Sequence, residues 1–131
     1  MFEKTINLDK MKENAEKQKE ALEVSKNVIF SLPETITKWQ IRGISYLLNQ
    51  GITEISQDEL DKQTFKMISK EEIEDFEKLI KETEDKLEEL KKVKFSGNLE
   101  VMMMTSVETL RKFKHSYESF KNKWLSYNKG V

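Results

Sequence analysis

Two pairs of carboxylates at helical spacing, Glu71-x-x-Glu74 and Glu82-x-x-Asp85, are the residues of this chain best suited to do chemistry. Acidic side chains three apart on a helix project from one face and can share a divalent cation. Two such pairs converging on one site could hold magnesium for hydrolysis of a nucleotide. Here both pairs fall within one predicted helix, about 16 Å apart at a rise of about 1.5 Å per residue. They cannot close on one ion within a single chain.

The other reactive residue types are equally unpromising. His115 is the only histidine and cysteine is absent, so one chain cannot assemble a zinc site from these ligands. There is no glycine-rich phosphate loop and no G-x-S-x-G, and the serines fall at helix starts. The expectation is a protein without catalysis, without a cofactor and without a small-molecule substrate.

Two clusters could instead meet a macromolecule. Met102-Met103-Met104 is a local enrichment of a side chain that suits both core gaps and adaptable binding surfaces. Three consecutive positions cannot all face one core, so at least one is expected to meet solvent or a partner. Lys112, Lys114, Lys121 and Lys123 surround an aromatic stripe: Leu110, Phe113, Tyr117, Phe120, Trp124 and Tyr127. Basic residues around aromatics could stack on single-stranded nucleic acid, lie on an anionic membrane or fill a partner's groove. Six large side chains on one helical face are more simply read as core.

The elements that position these clusters are helices. The chain has 131 residues, with 36% charged and 37% hydrophobic, only four Gly and one Pro. That length suits one domain, and few breakers with abundant Lys, Glu and Leu favour long wet-sided helices. Seven Phe, three Tyr, two Trp and a net charge of −1 argue against disorder. No apolar run is long enough for a secretory signal or a membrane span. The lack of cysteine is compatible with a reducing cytoplasm. Lysine outnumbers arginine 21 to 2, a bias expected of an AT-rich genome rather than of bidentate phosphate recognition.

Helix starts are legible as capping boxes, a Ser or Thr followed three residues later by Glu. They occur at Ser31/Glu34, Ser56/Glu59, Ser69/Glu72 and Thr105/Glu108. Hydrophobic staples reinforce two of them, Ile55 with Leu60 and Ile68 with Ile73. The first helix, 8–31, spaces Leu8, Met11, Ala15, Leu22, Ile29 and Leu32 by threes and fours, with Gln18 and Ser25 interrupting. Residues 1–20 carry little apolar surface and are expected to fray or project. Pro33 breaks or kinks the chain. A second helix, 34–49, uses Ile36, Trp39, Ile44, Leu47 and Leu48 and stops at Gly51. A short extended piece (52–55) and a brief helix (57–66) follow.

The fourth helix, from Lys70, repeats Ile73, Phe76, Ile80, Thr83, Leu87 and Leu90 as a seam. It carries ten carboxylates against four lysines, whereas the last helix is basic. Matching rhythm and opposite charge predict an antiparallel pair. Between them, Val93-x-Phe95 and Leu99-x-Val101 alternate around Ser96-Gly97-Asn98. This favours a small β-hairpin near 93–101 over a helix end with Gly97 just past it, and the last helix is expected to begin near Asn98 or, by its capping box, near Ser106.

The fold expected is therefore mainly α: five helices, a long acidic/basic C-terminal pair and the hairpin. The function expected is a non-catalytic, protein-binding module, an adaptor, assembly factor or inhibitor, of a size that suits a phage or mobile-element accessory protein. Its partner would be another protein or a second copy, without a membrane. Met102, Met103, Met104, Lys112, Lys114, Lys121 and Lys123 are the candidate contact residues. The alternative is a winged-helix-like nucleic-acid binder using the basic last helix. Its element order matches, but an acidic helix would stand where the groove-entering one belongs.

Overall fold

A computed structural model describes residues 5–129. Its elements are α1 (Leu8–Lys26), a π-helical segment (Asn27–Ser31), α2 (Leu32–Asn49), α3 (Gln57–Lys66), α4 (Lys70–Leu90) and α5 (Asn98–Tyr127). Among the described residues there is no strand. The path from Leu8 to Asn49 is helical throughout, so the described residues form four helical bodies instead of five.

The chain does not break at Pro33, and the distortion expected there takes the form of the π-helical segment. Proline lacks an N–H, and its ring clashes with the carbonyl four residues back in a regular α-helix. Here the turn just before it is wider, with the Leu32 N–H bonded to the Asn27 carbonyl five residues earlier. Pro33 then sits at the first turn of α2, where a missing N–H costs little. Ser31, read as a cap, has helical backbone and makes no side-chain capping bond.

Two of the four capping boxes cap helices, and they are the two with staples. The Ser56 Oγ accepts from the Glu59 N–H at 3.2 Å. Ser69 and Glu72 form the reciprocal box, each side chain accepting from the other's backbone N–H at 3.1 Å. Thr105 and Glu108 lie within α5. At the end of α2, Gly51 has φ +79°. The Ile52 N–H reaches the Leu47 carbonyl at 3.1 Å, and the Gly51 N–H reaches Leu48 at 3.0 Å, a Schellman closure.

The hairpin near 93–101 is replaced by a loop and a longer helix. Residues 91–97 are irregular, and α5 starts at Asn98, directly after Gly97 with φ +63°. Leu99, Met103, Ser106 and Leu110 carry the core periodicity back beyond Thr105, so the helix extends with them. Val93 and Phe95 pack against the core from the loop. An isolated two-stranded hairpin has no comparable stabilisation. Without strand and hairpin, the winged-helix arrangement is not formed.

The acidic/basic pair is antiparallel. Lys121 reaches Glu77 at 2.7 and 2.8 Å, while Lys114, earlier in α5, pairs with Glu84, later in α4. All six seam residues of α4 are buried. On α5, Leu110, Tyr117 and Trp124 are buried, and Phe113, Phe120 and Tyr127 pack against the same core half-exposed.

The α1 seam faces elsewhere than expected. Ala21, Val24, Ser25, Val28 and Leu32 are buried, whereas Leu8, Met11, Leu22 and Ile29 are exposed. Ser25, seemingly an interruption, is an inward residue: its hydroxyl lies 2.8 Å from that of Ser106 on α5. Residues 5–16 are exposed on every side, so the first turns project, as expected, but as helix.

Candidate protein-interaction surface

Few of the residues singled out for partner contact are available together. Met103 is buried and Met102 half-buried, while Met104 is 68% exposed. Lys114 and Lys121 are engaged by Glu84 and Glu77 of the neighbouring helix. Lys112 and Lys123 are exposed. The set therefore divides between core, intramolecular pairing and solvent.

The best-ordered polar constellation lies at the α2–α4 contact. Arg42 donates through Nη1 to Glu72 Oε2 at 3.0 Å and through Nη2 to Oε1 at 3.1 Å. Nη2 also donates to the Met67 carbonyl at 2.7 Å. The Trp39 indole N–H donates to Glu72 Oε2 at 3.1 Å. Partial burial would raise the Glu72 pKa, but Arg42, the Ser69 N–H and Trp39 together hold it below the ordinary 4.5. One carboxylate thus caps α4 and fastens α2.

Both carboxylate pairs project from α4 alone, and among the described residues no three His, Asp or Glu side chains converge as metal ligands. Tyr117 is a titratable group buried among rings: burial first, and the Glu77 carboxylate second, push its pKa upward. Its neighbours Phe76, Phe113 and Phe120 identify it as core. No helix is long and apolar enough to cross a membrane among the described residues.

The feature that stands out is apolar and lies on α2. Leu32, Trp39, Gly43 and Leu47 face the core. On the opposite side, Ile41, Ile44 and Leu48 are about half exposed and spaced three and four apart. A helix that is apolar on two sides normally has two partners. Beside this stripe a groove opens between α2, α3 and α5, lined by Ile44, Leu60, Phe65 and Phe120 together with polar residues that include Gln40, Asp61 and Lys123. Its walls are fixed by close packing. A Cβ on Gly43 would meet the Thr64 Oγ1 at 2.5 Å, which shows how nearly the backbones of α2 and α3 touch.

Reading Ile44 and Leu48 as core missed this surface. The signal was present in the sequence: Trp39-x3-Gly43-x3-Leu47 and Ile41-x2-Ile44-x3-Leu48 are two separate stripes on one helix. Ile52 and Ile55, in the segment after α2, add further exposed aliphatic surface.

Comparison with protein-family models, curated proteins and solved structures finds no match to this chain.

Proposed function

We propose that this protein is a non-catalytic binding module whose partner is a protein presenting an amphipathic helix. The observation that carries this reading is the exposed stripe Ile41, Ile44, Leu48 alongside the groove between α2, α3 and α5. Aliphatic side chains at three–four spacing beside a groove of mixed apolar and polar lining offer the layout that an incoming amphipathic helix fills with its own anchors. The lining supplies one acid and one base, Asp61 and Lys123, able to orient such a helix. Contiguous exposed apolar surface of this kind marks interaction sites in water-facing proteins.

Nucleic-acid binding has less support. A backbone of phosphates needs several unpaired cations, and two of the four lysines considered on α5 are neutralised in place. The net charge of the chain is −1.

The test is a titration with a purified partner identified by co-purification, comparing the native chain with Ile41→Asp/Leu48→Asp. Both substitutions lie on the exposed side of α2, so the fold should persist, which circular dichroism checks. Affinity should fall at least about tenfold, the loss expected when central aliphatic anchors are replaced. Equal affinity of the two proteins would refute the reading.

A further inference from the structure

The exposed side of α1 has a regularity that the fold does not use. From Leu8 onward the sequence repeats every seven residues: LDKMKEN, AEKQKEA, LEVSKNV, then Ile29. Leu8, Ala15 and Leu22 occupy equivalent positions and form one stripe, drifting only slightly around α1, which Ile29 continues in the π-helical segment. All four are exposed, Leu8 by 76% and Leu22 by 55%. Beside them runs a column spaced by threes and fours in which charge alternates: Asp9, Lys12, Glu16, Lys19, Glu23, Lys26. All six are exposed. The ion pairs that α1 does make, Lys17–Glu20 and Glu20–Lys86, involve other positions.

We propose that α1 pairs antiparallel with α1 of a second copy of this chain. Charge complementarity selects a register that the apolar stripe also selects. Setting Lys12 opposite Glu23 of the second copy places Lys19 opposite Glu16 and Lys26 opposite Asp9. Two-fold symmetry then repeats each pair, so every charge in the column meets its opposite. The same register, within one helical turn, brings Leu8 beside Ile29 of the second copy and Ala15 beside Leu22. Each larger aliphatic thus has a partner.

A parallel pair has no such match. It would turn each charged column toward the partner's other flank, where the repeat supplies Asn7, Asn14 and Ala21. Ala21 is already fully buried in its own fold. The antiparallel pair uses the free flank of both copies and gives the projecting turns of α1, exposed on every side, a surface to lie on. Short unsupported helices gain most of their stability from such packing. This inference concerns a different face from the α2 groove and stands without it.

The experiment is sedimentation equilibrium on the full chain, with two column variants. One is Lys12→Glu/Lys19→Glu/Lys26→Glu and the other is Asp9→Lys/Glu16→Lys/Glu23→Lys. The native chain should dimerise at concentrations up to about 100 μM, and each variant alone at least about tenfold more weakly. An equimolar mixture of the two variants should recover a one-to-one dimer. Leu22→Glu should give monomer that loses helix content only in the projecting turns of α1. For direction, Lys12→Cys copies mixed with Glu23→Cys copies should be joined by a short bis-maleimide between unlike copies and not between like ones. A native chain monomeric throughout that range, or variants whose mixture dimerises no better than either alone, overturns the proposal. Cross-linking between like copies overturns the antiparallel register.

Discussion

Arg42 on α2 grips Glu72 on α4 with two hydrogen bonds, of 3.0 and 3.1 Å, while Glu72 also accepts the Ser69 N–H that starts its own helix. A cap that the sequence announces locally is thereby turned into a tertiary clamp. The Trp39 indole, 3.1 Å from the same carboxylate, fixes its orientation.

Glu72→Gln should cost about 1–2 kcal/mol at neutral pH, because charge-assisted bonds at a half-exposed site are stronger than neutral ones. The pH dependence has a definite sign. The folded pKa lies below the ordinary 4.5, so the contribution is complete above that value and is lost as pH falls through the folded one. Urea unfolding of both proteins at neutral pH and at decreasing acidic pH should show the difference between them shrinking below pH 4.5. A constant difference would mean that the clamp is not ionic.

Gly43→Ala should destabilise by about 1–3 kcal/mol, although alanine is the better helix former by about 1 kcal/mol. The added methyl would lie 2.5 Å from Thr64 Oγ1 and 3.0 Å from its Cα, and the backbone atom cannot rotate away. Pairing it with Thr64→Ala should recover only part of the loss. Thermal unfolding of the two single variants and the double variant measures this.

Ser106 touches both the Ser25 hydroxyl, at 2.8 Å, and the Met102 carbonyl, at 2.9 Å. Ser106→Ala leaves Ser25 only the Met103 sulfur, at 4.0 Å, and should cost about 1–2 kcal/mol. Ser25→Ala leaves Ser106 its carbonyl partner and should cost less. The double variant should be no worse than Ser106→Ala alone, which a double-mutant cycle would read as coupling between α1 and α5.

The α4–α5 pair should depend on its seam more than on its charges. Lys114→Ala or Lys121→Ala removes an exposed interhelical ion pair, worth about 0–1 kcal/mol. Phe76→Ala removes a buried ring in contact with Trp39, Phe113 and Tyr117, and should cost about 3–5 kcal/mol. Chemical denaturation that ranked the lysines above the phenylalanine would reverse this order.

Local chemistry was readable in advance wherever it is satisfied within a few residues. The Ser56 and Ser69 caps, the stop at Gly51 and the six-residue seam of α4 all lie where the residues place them, because hydrogen bonds and periodicity there span one or two turns. The antiparallel direction of α4 and α5 was readable for the same reason, from rhythm and sign of charge.

What needed the tertiary structure were choices between equally good local options. On α1 two stripes compete. The more apolar one is left outside because Ala21, Ser25 and Val28 are narrow enough for close approach by α4 and α5. On α2 two stripes compete again, and Gly43 decides between them by admitting Thr64. The loop at 91–97 takes the place of a hairpin because Val93 and Phe95 pack against the core of the bundle, which two isolated strands would not secure. The sequence by itself determined that this protein is helical and where most helices stop. Only packing decided which apolar faces are spent on the fold, since burying one of two equivalent stripes depends on the shape of the partner helix. The faces left over on α1 and α2 carry the proposed interactions.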